Sequence, residues 1–334
     1  MAAKWRVLVT TRFFDDEAVA WLEANDCIVE RAGLQPEQAD GHLGPDELGP
    51  ILTETDAWIV GAARVTREVL ARSPRLKIIA RRGVGYDLVD IAAAKELGKV
   101  VTIAPGGNEP AVADHAIALM LSVGIRSPQY QARMREGDWR AVPGLELNGK
   151  TIGLIGFGRI GRLVAHRLAG FDARILVHDP LLDADTARQF GVEAVGLDAL
   201  LAQSDFISLH VPVGVATRNL IGTAQLAMMK PTAILVNTAR GALIDEQALL
   251  EALDAGQLWG AGLDVFAGEA GSDPRTLALV RHPHVVATPH IAGSSREALV
   301  RTNLIAARCI HDLLEGRAPS VGQIVADGRE HGRG

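Results

Sequence analysis

Two doubly wound α/β domains, each a parallel sheet with helices on both faces, are what this sequence predicts. Three observations carry that prediction. Short β-branched runs alternate with helix-like stretches along nearly the whole chain, and such alternation buries both faces of a parallel sheet. The alternation starts afresh at Thr151 with a glycine-rich turn. The 334 residues also exceed what one hydrophobic core serves, roughly 250 to 300 residues.

In the first series, Arg6–Thr10, Cys27–Glu30, Ala57–Val60, Lys77–Ala80 and Lys99–Thr102 read as strands, with helical segments Asp15–Ala24, Thr66–Ala71 and Asp90–Leu97 between them. Asn108–Ile125 follows as a connecting helix, with Asn108 suited to cap it and Pro110 to its first turn. The second series runs from Thr151 through Ala173–His178, Asp205–His210, Ala233–Thr238, Gly260–Phe266 and His284–Ala287. A last helix, about Ser294–Glu315, is long enough to return the chain to the first domain.

Composition narrows the function classes. Hydrophobic residues make up 48% and charged residues 22%, with 35 glycines and 4% aromatics, which suits a Gly- and Ala-rich α/β protein and excludes a disordered or fibrous one. A net charge of -6 offers no chain-wide attraction for nucleic acid or an anionic membrane. Small molecules are the expected partners. The apolar run Ala116–Ile125 is about half of a membrane span, and the N-terminus lacks the apolar centre of a signal peptide, so a cytoplasmic location is expected. Cys27 and Cys309 read as buried free thiols. His282-Pro-His284 has metal-like spacing without an accompanying Cys or acidic cluster and reads as a turn; no metal is expected.

Thr151-Ile-Gly-Leu-Ile-Gly156-Phe-Gly158-Arg-Ile-Gly161 places Gly-x-Gly-x-x-Gly between an apolar strand and an Ala/Leu-rich helix. Gly156 permits the tight turn, Gly158 lets backbone approach a pyrophosphate, Gly161 lets helix and strand pack, and the helix N-terminus holds phosphates. Alone the motif is weak. The next strand, however, ends in Asp179, whose carboxylate can accept from the adenosine ribose hydroxyls and would repel a 2'-phosphate, so NAD is expected over NADP. The alternative for Asp179 is a turn residue before Pro180.

Three later segments, Val236-Asn-Thr-Ala-Arg240-Gly, Gly262-Leu-Asp264-Val-Phe-Ala-Gly-Glu269 and Ala287-Thr-Pro-His290-Ile-Ala-Gly293, each set a polar residue just after an expected strand. Ligands bind outside the carboxyl ends of such strands, so Arg240, Glu269 and His290 can share a site. With the glycine motif and the strand end Leu209-His-Val-Pro212, these segments resemble the D-isomer-specific 2-hydroxyacid dehydrogenase family over nearly the whole chain. The nearest general likeness is to phosphoglycerate dehydrogenase-like members without a regulatory domain. Arg82-Gly83-Val84-Gly85-Tyr86-Asp87 resembles the family's substrate loop, and Ala104-Pro-Gly-Gly-Asn108 its entry to the interdomain helix.

The resemblance implies a Rossmann-type cofactor domain over 104–289 and a flavodoxin-like substrate domain over 1–103 plus 290–325, with a cleft between them and a disordered tail over 326–334. It implies an NAD-dependent enzyme interconverting a small D-2-hydroxy acid and its 2-keto acid. The residue types suit that chemistry. Arg240 can hold a carboxylate bidentately, His290 can donate a proton to the keto oxygen and take it back, and Glu269 can favour and orient the charged imidazole. Cofactor contacts are implied for Gly156, Gly158, Arg159, Ile160, Gly161, Asp179, His210, Pro212, Thr217, Thr238, Ala239, Asp264 and Gly293. Asp264 would bond the nicotinamide carboxamide. Substrate contacts are implied for Val84, Gly85 and Asn108, beside Arg240 and His290. A homodimer joined through the cofactor domains is implied too, with Gly137-Asp-Trp139 packed nearby.

Three departures from the family pattern bear on substrate. Val60 stands where phosphate-binding members carry arginine, which argues against 3-phosphoglycerate; Arg64 and Arg82 offer other anion contacts or are solvated charges; Ala270 replaces the usual proline after the glutamate. The competing readings are a nucleotide-sensing corepressor-like scaffold, with no nucleic-acid patch in this sequence, and a phosphite dehydrogenase-like enzyme.

Overall fold

The computed structural model describes residues 4–33, 40–268 and 273–329. The chain forms two compact units, one built from residues up to Asn108 and from Gly293 onward, the other from Glu109–Ala292.

In the first unit, β1 (Trp5–Val9), β2 (Cys27–Arg31), β3 (Ala57–Val60), β4 (Ile78–Arg81) and β5 (Val100–Ile103) are parallel. Their order is β5-β4-β3-β1-β2, the doubly wound arrangement in which the strand order reverses between β1 and β3. All four residues of β3 and of β5 are buried, as expected for strands covered on both faces. Asp15, Thr66 and Asp90 cap the helices Asp16–Glu23, Arg67–Ala71 and Ile91–Glu96 by accepting amide hydrogens from the first turns. Cys27 and Cys309 are buried free thiols, and burial pushes both up to about 11.

The second unit carries β6 (Thr151–Ile155), β7 (Arg174–His178), β8 (Glu193–Ala194), β9 (Phe206–Leu209), β10 (Ile234–Asn237), β11 (Gly260–Leu263) and β12 (Val285–Ala287). Their order, β12-β11-β10-β9-β6-β7-β8, all parallel, is that of a dinucleotide-binding sheet with its reversal between β6 and β9. The helix Glu109–Ile125 lies against it and buries Val112, Ala116, Leu119, Met120 and Val123. Asn108 does not cap this helix; its Oδ1 is buried without a partner among the described residues.

Three expectations are corrected. The sequence predicts a disordered tail from 326, yet β13 (Gln323–Asp327) runs antiparallel to β5, with Ala326 opposite Val101 and 1% exposed. Burial of that one face outweighs the polar composition around it. Residues 104–108 pack on the first unit, where Ala104 donates to Gly83 and Arg301 donates to the Gly107 carbonyl. Residues 290–292 belong to the second unit, for reasons given next.

Candidate active site

The glycine-rich turn leaves β6 at the sheet's reversal point. Gly156 has φ +98°, and a Cβ there would lie 2.7 Å from the carbonyl of His210; no other residue lets β6 and the end of β9 come so close. A Cβ on Gly161 would lie 2.4 Å from the Gly156 carbonyl oxygen, whereas one on Gly158 meets nothing within 4 Å. The turn is therefore closed on its protein side and open at Gly158, where the helix Arg159–Leu168 begins without a side-chain cap. Its first amides, those of Arg159 and Ile160 included, are the free donors of a helix start. Asp179, one residue past β7, accepts the Phe157 amide on Oδ2 at 2.7 Å and the Leu181 amide on Oδ1 at 2.8 Å. It is thus a turn residue and a brace of the glycine loop at once.

Further along the same edge, the Thr217 hydroxyl donates to the Pro212 carbonyl and accepts the Gly214 amide, which closes the loop after β9. His210 Nε2 and Thr238 Oγ1 are buried without partners among the described residues. Burial pulls the His210 imidazole down to about 4, so it is neutral near pH 7. These orphaned groups, the open Gly158 and the free helix amides fit a bound dinucleotide.

Arg240 follows β10 with extended backbone and is half-buried. Asn237, 0% exposed, holds its loop: Nδ2 donates to the Arg240 carbonyl at 2.8 Å and Oδ1 accepts the Ala239 amide at 3.0 Å. A Cβ on the next residue, Gly241, would lie 2.1 Å from the carbonyl carbon of Phe266, so this loop packs backbone to backbone on the segment leading to Glu269. Glu269 itself, like Ala270, lies outside the described residues. Glu246 grips both flanks of that segment, its Oε1 accepting the Ala267 amide at 2.6 Å and its Oε2 the Thr276 hydroxyl at 2.8 Å.

His290 is exposed and holds φ +53°, a left-handed conformation costly for a side chain with a Cβ. Its amide donates to the Asp264 carbonyl at 2.8 Å. The Asp264 carboxylate, 0% exposed, accepts the Thr288 hydroxyl at 2.5 Å, the Ile291 amide at 2.9 Å and the Ala292 amide at 2.8 Å. Burial raises this carboxyl, but the hydrogen bonds from His115, Thr288, Ile291 and Ala292 outweigh it and leave it below the usual range. Asp264 is therefore tied into the loop that presents His290, and that tie keeps residues 290–292 with the second unit. His282 Nδ1 accepts the His284 amide, which places the pair in a turn.

In the first unit, the loop after β4 is fixed by Arg81, whose Nε donates to the Gly85 carbonyl at 2.9 Å and whose Nη1 donates to the Gly61 carbonyl. The amides of Val84 and Gly85 meet no acceptor among the described residues. Arg82 donates to Thr11 Oγ1 at 2.9 Å, and burial lowers its guanidinium against the charge of Asp40; Arg64 is exposed. Val60 is 0% exposed, and the turn after it wraps Asp40, which accepts the Thr10 hydroxyl and the amides of Gly61, Ala62 and Ala63. Asn108 lies against Gly293, where a Cβ would sit 2.8 Å from Asn108 Nδ2. Sequence reasoning missed Asp40, Asn237 and Glu246, each of which holds a loop by hydrogen bonds; only Asn237, at the end of the apolar run Ala233–Val236, carried a local signal.

Residues 117–292 match a family model described as D-isomer specific 2-hydroxyacid dehydrogenase, NAD binding domain. A D-3-phosphoglycerate dehydrogenase of Mycobacterium tuberculosis is 44% identical over 278 residues, 82% of this chain and 52% of that protein. The chain thus spans about half the length of the mycobacterial relatives it matches. A hydroxypyruvate reductase of Thermotoga maritima is 42% identical over 285 residues, 84% of this chain and 92% of that one. Among solved structures, the TT0316 protein of Thermus thermophilus superposes with a TM-score of 0.84 at 37% identity, covering 95% of this chain and 99% of that one. A D-lactate dehydrogenase of Aquifex aeolicus, solved with NAD and lactic acid, superposes with a TM-score of 0.80 at 29% identity, covering 93% and 96%. Strand order, glycine turn and relatives agree: the chain belongs to the D-isomer-specific 2-hydroxyacid dehydrogenase family, and its second unit contains that family's NAD-binding domain.

Proposed function

We propose that the protein interconverts a small D-2-hydroxy acid and its 2-keto acid, with NAD as the hydride carrier. The observation that carries this reading is His290, exposed in a left-handed turn beyond β12 and held there by Asp264, in the same unit as the glycine turn and Arg240. NAD supplies the hydride acceptor or donor at its nicotinamide ring. Arg240 binds the substrate carboxylate as a planar fork and orients the adjacent oxygen. His290 gives a proton to that oxygen during reduction and takes it back during oxidation. Glu269 orients the imidazole and favours its charged form. The Val84 and Gly85 amides and Asn108 bind the substrate. Asp179, the helix start at Arg159 and Ile160, and the His210, Pro212, Thr217, Thr238, Ala239 and Gly293 positions bind the cofactor. Asp264 serves the nicotinamide end through the His290 loop. A cytoplasmic homodimer completes the reading, supported by Trp139 at 76% exposure; no helix among the described residues is long and apolar enough to cross a membrane.

The names of the relatives put three-carbon 2-keto acids first in a substrate screen. The buried Val60 speaks for an unphosphorylated one. The test is NADH consumption with glyoxylate, hydroxypyruvate, phosphohydroxypyruvate, pyruvate and bulkier 2-keto acids. Turnover is expected with at least one, and His290→Ala lowers it by roughly 10² to 10⁴-fold while NADH still binds. Absence of turnover with all of them, or a His290→Ala variant of normal turnover, rejects the proposal.

A further inference from the structure

The helix Glu109–Ile125 and strand β11 run in step. A Cβ on Gly260 would lie 2.8 Å from Val123 Cγ1, and one on Gly262 would lie 2.9 Å from Leu119 Cβ. Side chains four apart share a helix face, and residues two apart share a strand face. The next step of both series sets His115 against Asp264, and there the contact becomes polar. His115 Nε2 is 2.9 Å from Thr288 Oγ1 and 3.5 Å from Asp264 Oδ1. The Thr288 hydroxyl gives its one proton to Asp264 Oδ1. It can therefore only accept from His115, which fixes the proton on Nε2 of that imidazole.

Resting on the role given to His290 above, we propose that His115 is a positioning residue for the acid/base: it locks Thr288 and Asp264, and through them the left-handed turn of His290. The bare glycines of β11 are part of the device, because they let the helix approach closely enough for His115 to reach the loop. Without the His115 donor, the Thr288 hydroxyl can rotate away from Asp264. The loop then loses one of its side-chain ties, and His290 samples orientations from which it cannot meet the substrate oxygen.

The test compares His115→Phe, which keeps a ring but no donor, with His115→Gln, which keeps an N–H at similar reach. With the substrate of highest turnover, kcat of His115→Phe is expected to fall by about 10- to 10²-fold, the scale set by a misplacement of order 1 Å. The NADH dissociation constant stays within about threefold, the deuterium isotope effect on kcat from 4-deuterated NADH rises, and His115→Gln recovers most of the rate. Should His115→Phe fail to fold, Thr288→Val against Thr288→Ser makes the same comparison, with the serine variant active. Equal kcat in His115→Phe and the parent enzyme overturns the inference, as does a loss that His115→Gln shares or that tracks weaker NADH binding. Failure of the dehydrogenase reading is distinct, since it leaves the parent protein without turnover.

Discussion

The Asp179 carboxylate accepts the amide hydrogen of Phe157, in the middle of the glycine-rich turn, at 2.7 Å. One side chain thereby braces the glycine loop and, in the proposed reading, also binds the ribose. A hydrogen bond to a charged group contributes about 1.5 to 3 kcal/mol, so Asp179→Ala is expected to weaken NADH use by about 10- to 10²-fold and to narrow the preference over NADPH. Steady-state efficiencies with both cofactors check this, and an unchanged ratio removes the ribose role.

Gly241 has no room for a methyl group. Its Cβ would press on the Phe266 carbonyl carbon and the Ala267 nitrogen, both backbone, and overpacking of this kind costs about 1 to 3 kcal/mol. Gly241→Ala is expected to lower kcat/KM strongly by displacing Arg240, while Gly170→Ala, open to space, has no such effect. Kinetics and unfolding midpoints of the two variants decide it.

His210 makes the protein sensitive to acid. Its folded value, about 4, lies below the ordinary 6.5 because of burial. The unfolded chain takes up the proton first as pH falls through 6.5, so stability declines from there down to about 4 and is unaffected above 6.5. The full difference is at most about 3 kcal/mol, less for the part of the ring that meets solvent. Urea unfolding at pH 7 and pH 5 is expected to show this loss in the parent and a smaller one in His210→Gln. Equal losses would contradict it.

Glu246 secures the segment that leads to Glu269. Glu246→Ala leaves the Ala267 amide without its acceptor, at a cost of about 1 to 3 kcal/mol, and kcat is expected to fall with little change in NADH affinity. Glu246→Gln should be milder, because the Thr276 hydroxyl can turn from donor to acceptor. Kinetic and NADH-binding measurements on the pair provide the check; an Ala variant with normal kcat would leave the clamp without a role.

Much of this architecture was legible because period and punctuation speak locally. Ala57–Val60 has the bounds its sequence predicts, and the other main strands shift by a residue or so at their ends, except the one ending at Leu263, after which the Asp264 side chain takes the amides of Ile291 and Ala292 in the loop beyond β12. The glycine turn and Asp179 were legible because they sit one strand apart. His115, Asp40 and Glu246 were not, since each acts on a loop reached only after folding; Asn237 acts on its own loop, two and three residues on, but has no motif of its own. β13 escaped because only Ala326 in it is buried, too little apolar signal for a strand.

β13 also sets an order of events during synthesis. The NAD-binding unit is complete once Ala292 has left the ribosome, whereas the other sheet waits for residues 323–327 to cover its β5 edge. Until then that edge presents unpaired backbone groups, a template for pairing with a neighbouring nascent chain. Synthesis of residues 323–327 therefore closes the window in which this edge is open to a neighbouring chain.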